Sequence, residues 1–231
     1  MNSSINNLED LTWDAIIPIG DACASTLVLK TAGLRRVAFP FDWVISFPKM
    51  TLKDLQENFQ LLLNKDKKQY SHYQKFEKEE INKIFQNRID RFNRYLNSNL
   101  NIIFFYSNWA RISSNTLKLI KTEDEGYLLE MIQFFKEKNL KNVQYIFTNI
   151  NNSFENLKKE ENVKLIDINL NLSIETTDLN KLEDRHNFTK EIESFFKNSI
   201  VEELLKMNLK FNNLKEEEKE DLNQNISTEW W

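Results

Sequence analysis

All three prolines (Pro18, Pro40, Pro48) and two of the three glycines lie in the first fifty residues; the rest of the 231-residue chain is almost unpunctuated. Beyond that block, long helical patterns alternate with short apolar runs. Such alternation favours an α/β fold, with a central, mostly parallel sheet covered by helices on both faces. The irregular N-terminal block is then the place for a site, because loops held on a rigid scaffold carry most chemistry.

The apolar run Ala15-Ile16-Ile17-Pro18-Ile19 predicts a short buried strand ending at Gly20-Asp21, although Pro18 suits a central strand poorly. Asp21 is the expected N-cap of a helix bearing Cys23, Leu27 and Leu29, with Gly33 as its stop. Residues 34–48 are too proline-broken for a helix. Helical spacing resumes from Thr51 and again over about Glu77 to Leu96, where Ile81, Phe85, Ile89 and Phe92 fall on one side. Strands are predicted at 101–106, 143–147 and 163–168, a helix at about 123–138, and a closing helix from Asn187 to about Met207. The expected division is one α/β domain over 1–212 and a charged tail over 213–231, including the run Lys215–Asp221.

Composition narrows the function classes. An apolar fraction of 41% excludes global disorder. One cysteine and two histidines exclude a disulfide framework and a Cys-rich zinc site. No His/Asp/Glu cluster has metal-ligand spacing, and three glycines leave no room for a phosphate-binding loop, so neither metal nor cofactor is expected. A net charge of −4 argues against a nucleic-acid partner. No apolar run has the length of a membrane span, and the polar start MNSSINNLEDL is unlike a signal peptide. The expectation is a cytoplasmic protein with a small-molecule or peptide substrate; nothing in the sequence sets its oligomeric state.

Cys23 is the leading candidate nucleophile. At a helix start after a strand, a thiol meets the positive end of the helix dipole and unpaired backbone N–H groups. Those groups favour thiolate and also suit an oxyanion. The alternative is a small buried hydrophobe. A base must come from His72, in Tyr70-Ser71-His72-Tyr73, or from His186, expected in a polar loop before the last helix. Topology favours His186, since working groups gather at the carboxyl ends of strands; Asp184, Asp178 or Glu183 would orient it. The layout is similar to that of SGNH-type esterases, although Ala22 stands where their serine would be. In Phe39-Pro40-Phe41-Asp42-Trp43, Asp42 is either a turn residue or an orienting carboxylate, and Arg35 or Arg36 is its expected partner. Arg35, Asp42 and Trp43 are the candidate pocket wall.

Gly20-Asp21-Ala22-Cys23, Leu29-Lys30, Gly33-Leu34-Arg35 and Pro40-Phe41-Asp42-Trp43, in that order, resemble a family described as papain-like cysteine peptidases. The likeness is good over about residues 13–47. Arg88-Ile89-Asp90-Arg91-Phe92 resembles the same family's Arg-x-x-Arg-Phe helix. Where members carry His-Asp-Phe this chain has His72 followed by Tyr73. The resemblance implies thiol hydrolase or acyltransferase chemistry at Cys23.

Overall fold

The computed structural model describes residues 8–20, 23–44, 46–64, 71–73, 75–107, 122–138, 140, 142–150, 154–168 and 182–213, with backbone alone at 71, 122, 123, 150 and 182–193. The expected tail lies outside the described residues from 214 onward.

The expected α/β architecture is present. Four strands, β2 (Ala15–Pro18), β3 (Asn101–Tyr106), β4 (Asn142–Ile150) and β5 (Val163–Ile168), form a sheet in the order β2-β3-β4-β5, parallel throughout. Ala15 pairs with Ile102, Phe104 with Tyr145, and Tyr145 with Val163. A separate two-stranded pair joins β1 (Thr12–Trp13) to β6 (Lys210–Phe211), also parallel. Asp14, between β1 and β2, ties this segment to the start of β3 and to the residue after β6: Oδ2 accepts from the Asn101 N–H at 2.8 Å and Oδ1 from Asn212 Nδ2 at 2.7 Å.

Pro18 is tolerated because β2 is an edge strand of this sheet. The Ile19 N–H donates to the Phe105 carbonyl, so in a parallel ladder the nitrogen of Pro18 faces away from β3.

The period-two alternation of the strands separates two cores. Ile17, Phe104, Tyr106, Tyr145 and Phe147 face one side, packed by α2 (Pro48–Gln56), α3 (Gln60–Leu63), α4 (Lys78–Leu96) and α5 (Thr122–Lys136). Ile16, Ile103, Phe105, Ile146 and Ile166 face the other, packed by α1 (Ala24–Thr31) and α6 (Leu182–Lys206). Phe104 is stacked on Phe135 of α5 at 3.9 Å. Helix α2 starts at Pro48, earlier than the expected Thr51, because proline at the first helical position gives up an N–H that has no intrahelical partner anyway. Helix α4 starts where Glu80 reaches back to accept the Glu77 N–H at 2.9 Å. Among the described residues no helix is long and apolar enough to cross a membrane.

Candidate functional site

The site grows from the end of β2. Gly20 turns the chain at φ +115°, and a Cβ there would stand 3.0 Å from the Ser46 carbonyl oxygen. Both facts demand glycine. Cys23 is itself the N-cap of α1, its carbonyl accepting the Leu27 N–H at 2.9 Å; the expected cap, Asp21, lies outside the described residues. One residue into the helix, Ser25 Oγ donates to the Gly20 carbonyl and accepts the Ser107 N–H at 2.8 Å. That hydroxyl fixes the helix start to the ends of both β2 and β3.

Facing this helix start is a 3-10 turn, Ser71–Tyr73, between α3 and α4. It brings His72 Nε2 to 2.9 Å from Cys23 Sγ, with both residues buried. The indole of Trp43 lies against the imidazole, ring centroids 5.1 Å apart and tilted by 58°. Lys30 Nζ, on α1, stands 5.6 Å from the same indole. Leu29-Lys30, Pro40-Phe41-Asp42-Trp43 and Cys23 are thus pieces of one assembly.

Trp43 takes a left-handed backbone, φ +60°, which is unfavourable for a bulky residue and must be held from outside. Asp42 does the holding. Its Oδ2 accepts the Phe39 N–H at 2.6 Å and its Oδ1 accepts Arg35 Nε at 3.2 Å. Its carbonyl accepts the Tyr73 hydroxyl and Arg88 Nη1, each at 3.3 Å. Arg88 Nη1 also donates to Tyr73 Oη at 2.5 Å, and Arg91 Nη1 donates to the Ala38 carbonyl at 2.5 Å. Asp42 is therefore the carboxylate that closes the turn, with Arg35 as its partner. Arg36 instead points to the C-terminal end, donating to the Asn212 carbonyl and lying over the Phe211 ring.

The roles of Arg88, Arg91 and Tyr73 escape a reading of the sequence. The signal for Arg88 is its position: Ile81, Phe85, Arg88 and Phe92 form one i, i+4, i+7, i+11 stripe, and all four are buried. An arginine on the apolar stripe needs a buried acceptor, here the carbonyl and hydroxyl of the site.

The electrostatics differ from the expected thiolate-favouring helix start. Burial, reinforced by the negative charge of Asp42, pushes the Cys23 thiol from 9.0 up to about 12. Tyr73 is also pushed up by burial, only partly opposed by Arg88, and remains a neutral donor. At neutral pH the pair holds a protonated thiol whose proton can pass directly to imidazole. That is general-base geometry.

The other expected base does not sit in a loop. His186, Asp184 and Glu183 fall within α6, which begins at Leu182 and not at Asn187; their side chains, like Asp178, lie outside the described residues. Trp109, Trp230 and Trp231, which the sequence suggests are packing or tail residues, also lie outside the described residues. Among the described residues no group of three or more His, Cys, Asp or Glu is placed to hold a metal ion. The chain matches no family model, no curated protein and no solved structure.

Proposed function

We propose that this protein is a cysteine-dependent hydrolase or acyltransferase, peptidase-like in chemistry, acting on an amide, ester or thioester. The observation that supports the reading is the 2.9 Å approach of Cys23 Sγ to His72 Nε2. Sγ attacks the substrate carbonyl while its proton moves to Nε2, so no standing thiolate is required. The oxyanion meets the N–H groups of the first turn of α1. Collapse of the adduct breaks the bond to the leaving group, which takes the proton from Nε2 and departs, leaving a thioester on Cys23. Water or an acceptor then gives its proton to His72, attacks the thioester carbonyl and returns the thiol. Trp43 fixes the plane of the imidazole, and Asp42 with Arg35 fixes Trp43.

Mass spectrometry after exposure to p-nitrophenyl acetate tests this. The wild type is expected to carry an acetyl group on Cys23 and His72→Ala to acylate about 10²–10⁴-fold more slowly, while His186→Ala acylates like the wild type. A Cys23→Ser protein that releases p-nitrophenol as fast as the wild type, or a His72→Ala protein that acylates unimpaired, overturns the proposal.

The burial of Cys23 and its retained proton favour a second reading, a binding module for a small polar ligand such as a sugar or peptide, with Cys23 and Asp42 structural. Under it no acyl-enzyme forms with any ester.

A further inference from the structure

We infer that Lys30 is the specificity-determining residue of this site and draws compounds that carry a carboxylate to the Cys23 thiol. The inference rests on the proposed thiol chemistry and names its substrate class: acyl compounds with an acidic group about two helical turns from the carbonyl.

Helix α1 sets the placement. Cys23 caps it with a helical backbone, φ −85° and ψ −1°, so Cys23, Leu27 and Lys30 fall at i, i+4 and i+7 on one face. The helical rise puts the Cα atoms of Cys23 and Lys30 about 10 Å apart. Helical side chains lean toward the N-terminus, which carries the ammonium back toward the thiol. The contacts agree with that direction. Lys30 Nζ stands 5.6 Å from the Trp43 ring, the Trp43 and His72 centroids are 5.1 Å apart, and His72 Nε2 is 2.9 Å from Cys23 Sγ. Trp43, His72 and Cys23 are buried, whereas Lys30 is exposed. Lys30 is thus the solvent end of a stack that finishes at the thiol.

A basic residue in the last turn of a helix commonly serves the final carbonyls and the dipole. Here backbone N–H groups already fill that role. The Lys30 carbonyl accepts the Gly33 N–H at 3.1 Å, and the Leu29 carbonyl accepts the N–H groups of Leu34 and Arg35 at 2.9 and 3.1 Å. Lys30 also forms no ion pair among the described residues, and Asp42, the carboxylate of this assembly, is bonded to Arg35. An ammonium fixed over an indole keeps its hydrogen-bond donors for another partner. The guanidinium groups of Arg88 and Arg91 in the same assembly, and the N-terminus of α1, add charge of the same sign. A local positive field in a chain of net charge −4 selects anions. One ammonium on a flexible stem suits a singly charged carboxylate, whereas phosphates are commonly gripped by several donors at once.

The single thiol makes the test direct. N-Propylmaleimide and 4-maleimidobutyrate add to a thiol by the same step: sulfur bonds to one ring carbon and a proton ends on the other. They differ by a terminal carboxylate. Relative to 2-mercaptoethanol, folded wild type should favour the carboxylate reagent about three- to fivefold, as much as an exposed ion pair supplies. Salt at about 0.5 M should remove most of that preference. Lys30→Gln should abolish it, Lys30→Glu should invert it and Lys30→Arg should retain it, while Lys136→Gln, in the last turn of α5, should leave it in place. A wild type without the preference, or a Lys30→Glu protein that keeps it, overturns the inference. So does a folded wild type that neither reagent modifies. A preference that stands while p-nitrophenyl acetate leaves no acyl group on Cys23 upholds the role of Lys30 and defeats the hydrolase reading instead.

Discussion

Two loops of this protein are each tied by one buried carboxylate, and they differ in what surrounds it. Glu125 holds the turn after β4: Oε1 accepts the N–H groups of Asn156 and Leu157 at 2.5 and 2.9 Å, and Oε2 accepts Asn156 Nδ2 at 3.2 Å. Neutral donors suffice there. Asp42 performs the same service for the turn after Phe39, but around it stand the part-buried Arg35, the Tyr73 hydroxyl and two buried arginines, Arg88 and Arg91. Desolvating guanidinium groups is costly, and closing a turn does not require it. The added groups hold the strained Trp43 and the turn carrying His72 as one rigid unit, which is what a preorganised thiol–imidazole pair needs.

The contrast is sharpest in stability. Asp42→Ala leaves the buried Phe39 N–H and the part-buried Arg35 without their carboxylate acceptor and should cost about 3 kcal/mol in denaturant unfolding. Glu125→Ala leaves only neutral N–H groups unpaired and should cost about 1–3 kcal/mol. It should also leave the acylation of Cys23 at the wild-type rate. Equal losses, or equal effects on acylation, would erase the distinction between the loops. Trp43→Ala should cost about 3 kcal/mol as a large core deletion. If it acts through His72, it should also slow acylation more than an equally destabilising Leu62→Ala.

Alkaline pH separates the regions further. Cys23 titrates at 9.0 when unfolded and at about 12 when folded. Above about pH 9 the unfolded chain releases a proton that the folded chain keeps, so stability present below pH 9 falls as pH rises toward 12. The expected slope from this one group is about 1.4 kcal/mol per pH unit. Cys23→Ala should flatten the decline without abolishing it, because burial also raises Tyr73 and Tyr145. Smallest of all, Lys30→Ala should cost no more than about 1 kcal/mol, the worth of an exposed cation over an indole. A larger loss would mean that Lys30 does more than cover Trp43.

Much of the fold could be read from the residues. Strands β3 and β5 stand where short apolar runs predict them, and α4 begins within one residue of expectation because Glu77 and Glu80 mark its start. Strand β4 outruns its apolar segment to Ile150. It continues through buried Thr148 and Asn149, the latter bonded to Asp167 and to the Phe154 N–H, and local hydrophobicity does not register such pairings. At the site, Cys23, Arg35, Asp42 and Trp43 were visible as unusual residues in an unusual block. The histidine facing the thiol was left open between His72 and His186. The rule that working groups follow strands pointed to His186, whereas His72 comes from a 3-10 turn between two helices, within the long excursion that links β2 to β3. The aromatic packing that folds this excursion back, such as Phe41 on Phe59 and Phe59 on Phe92, is long-range and leaves no local periodicity.

The bonds of Asp14 reach Asn101 across 87 residues and Asn212 across 198. During synthesis the first strand therefore waits, unpaired, until most of the excursion carrying His72 has emerged, and β1 waits until nearly the whole described chain has been made. Parallel pairings of this span make for slow folding, and an incomplete chain exposes the edge of β2 meanwhile. The two oxygens of Asp14 make both bonds within the protein only when β3 and the segment after β6 are in place together.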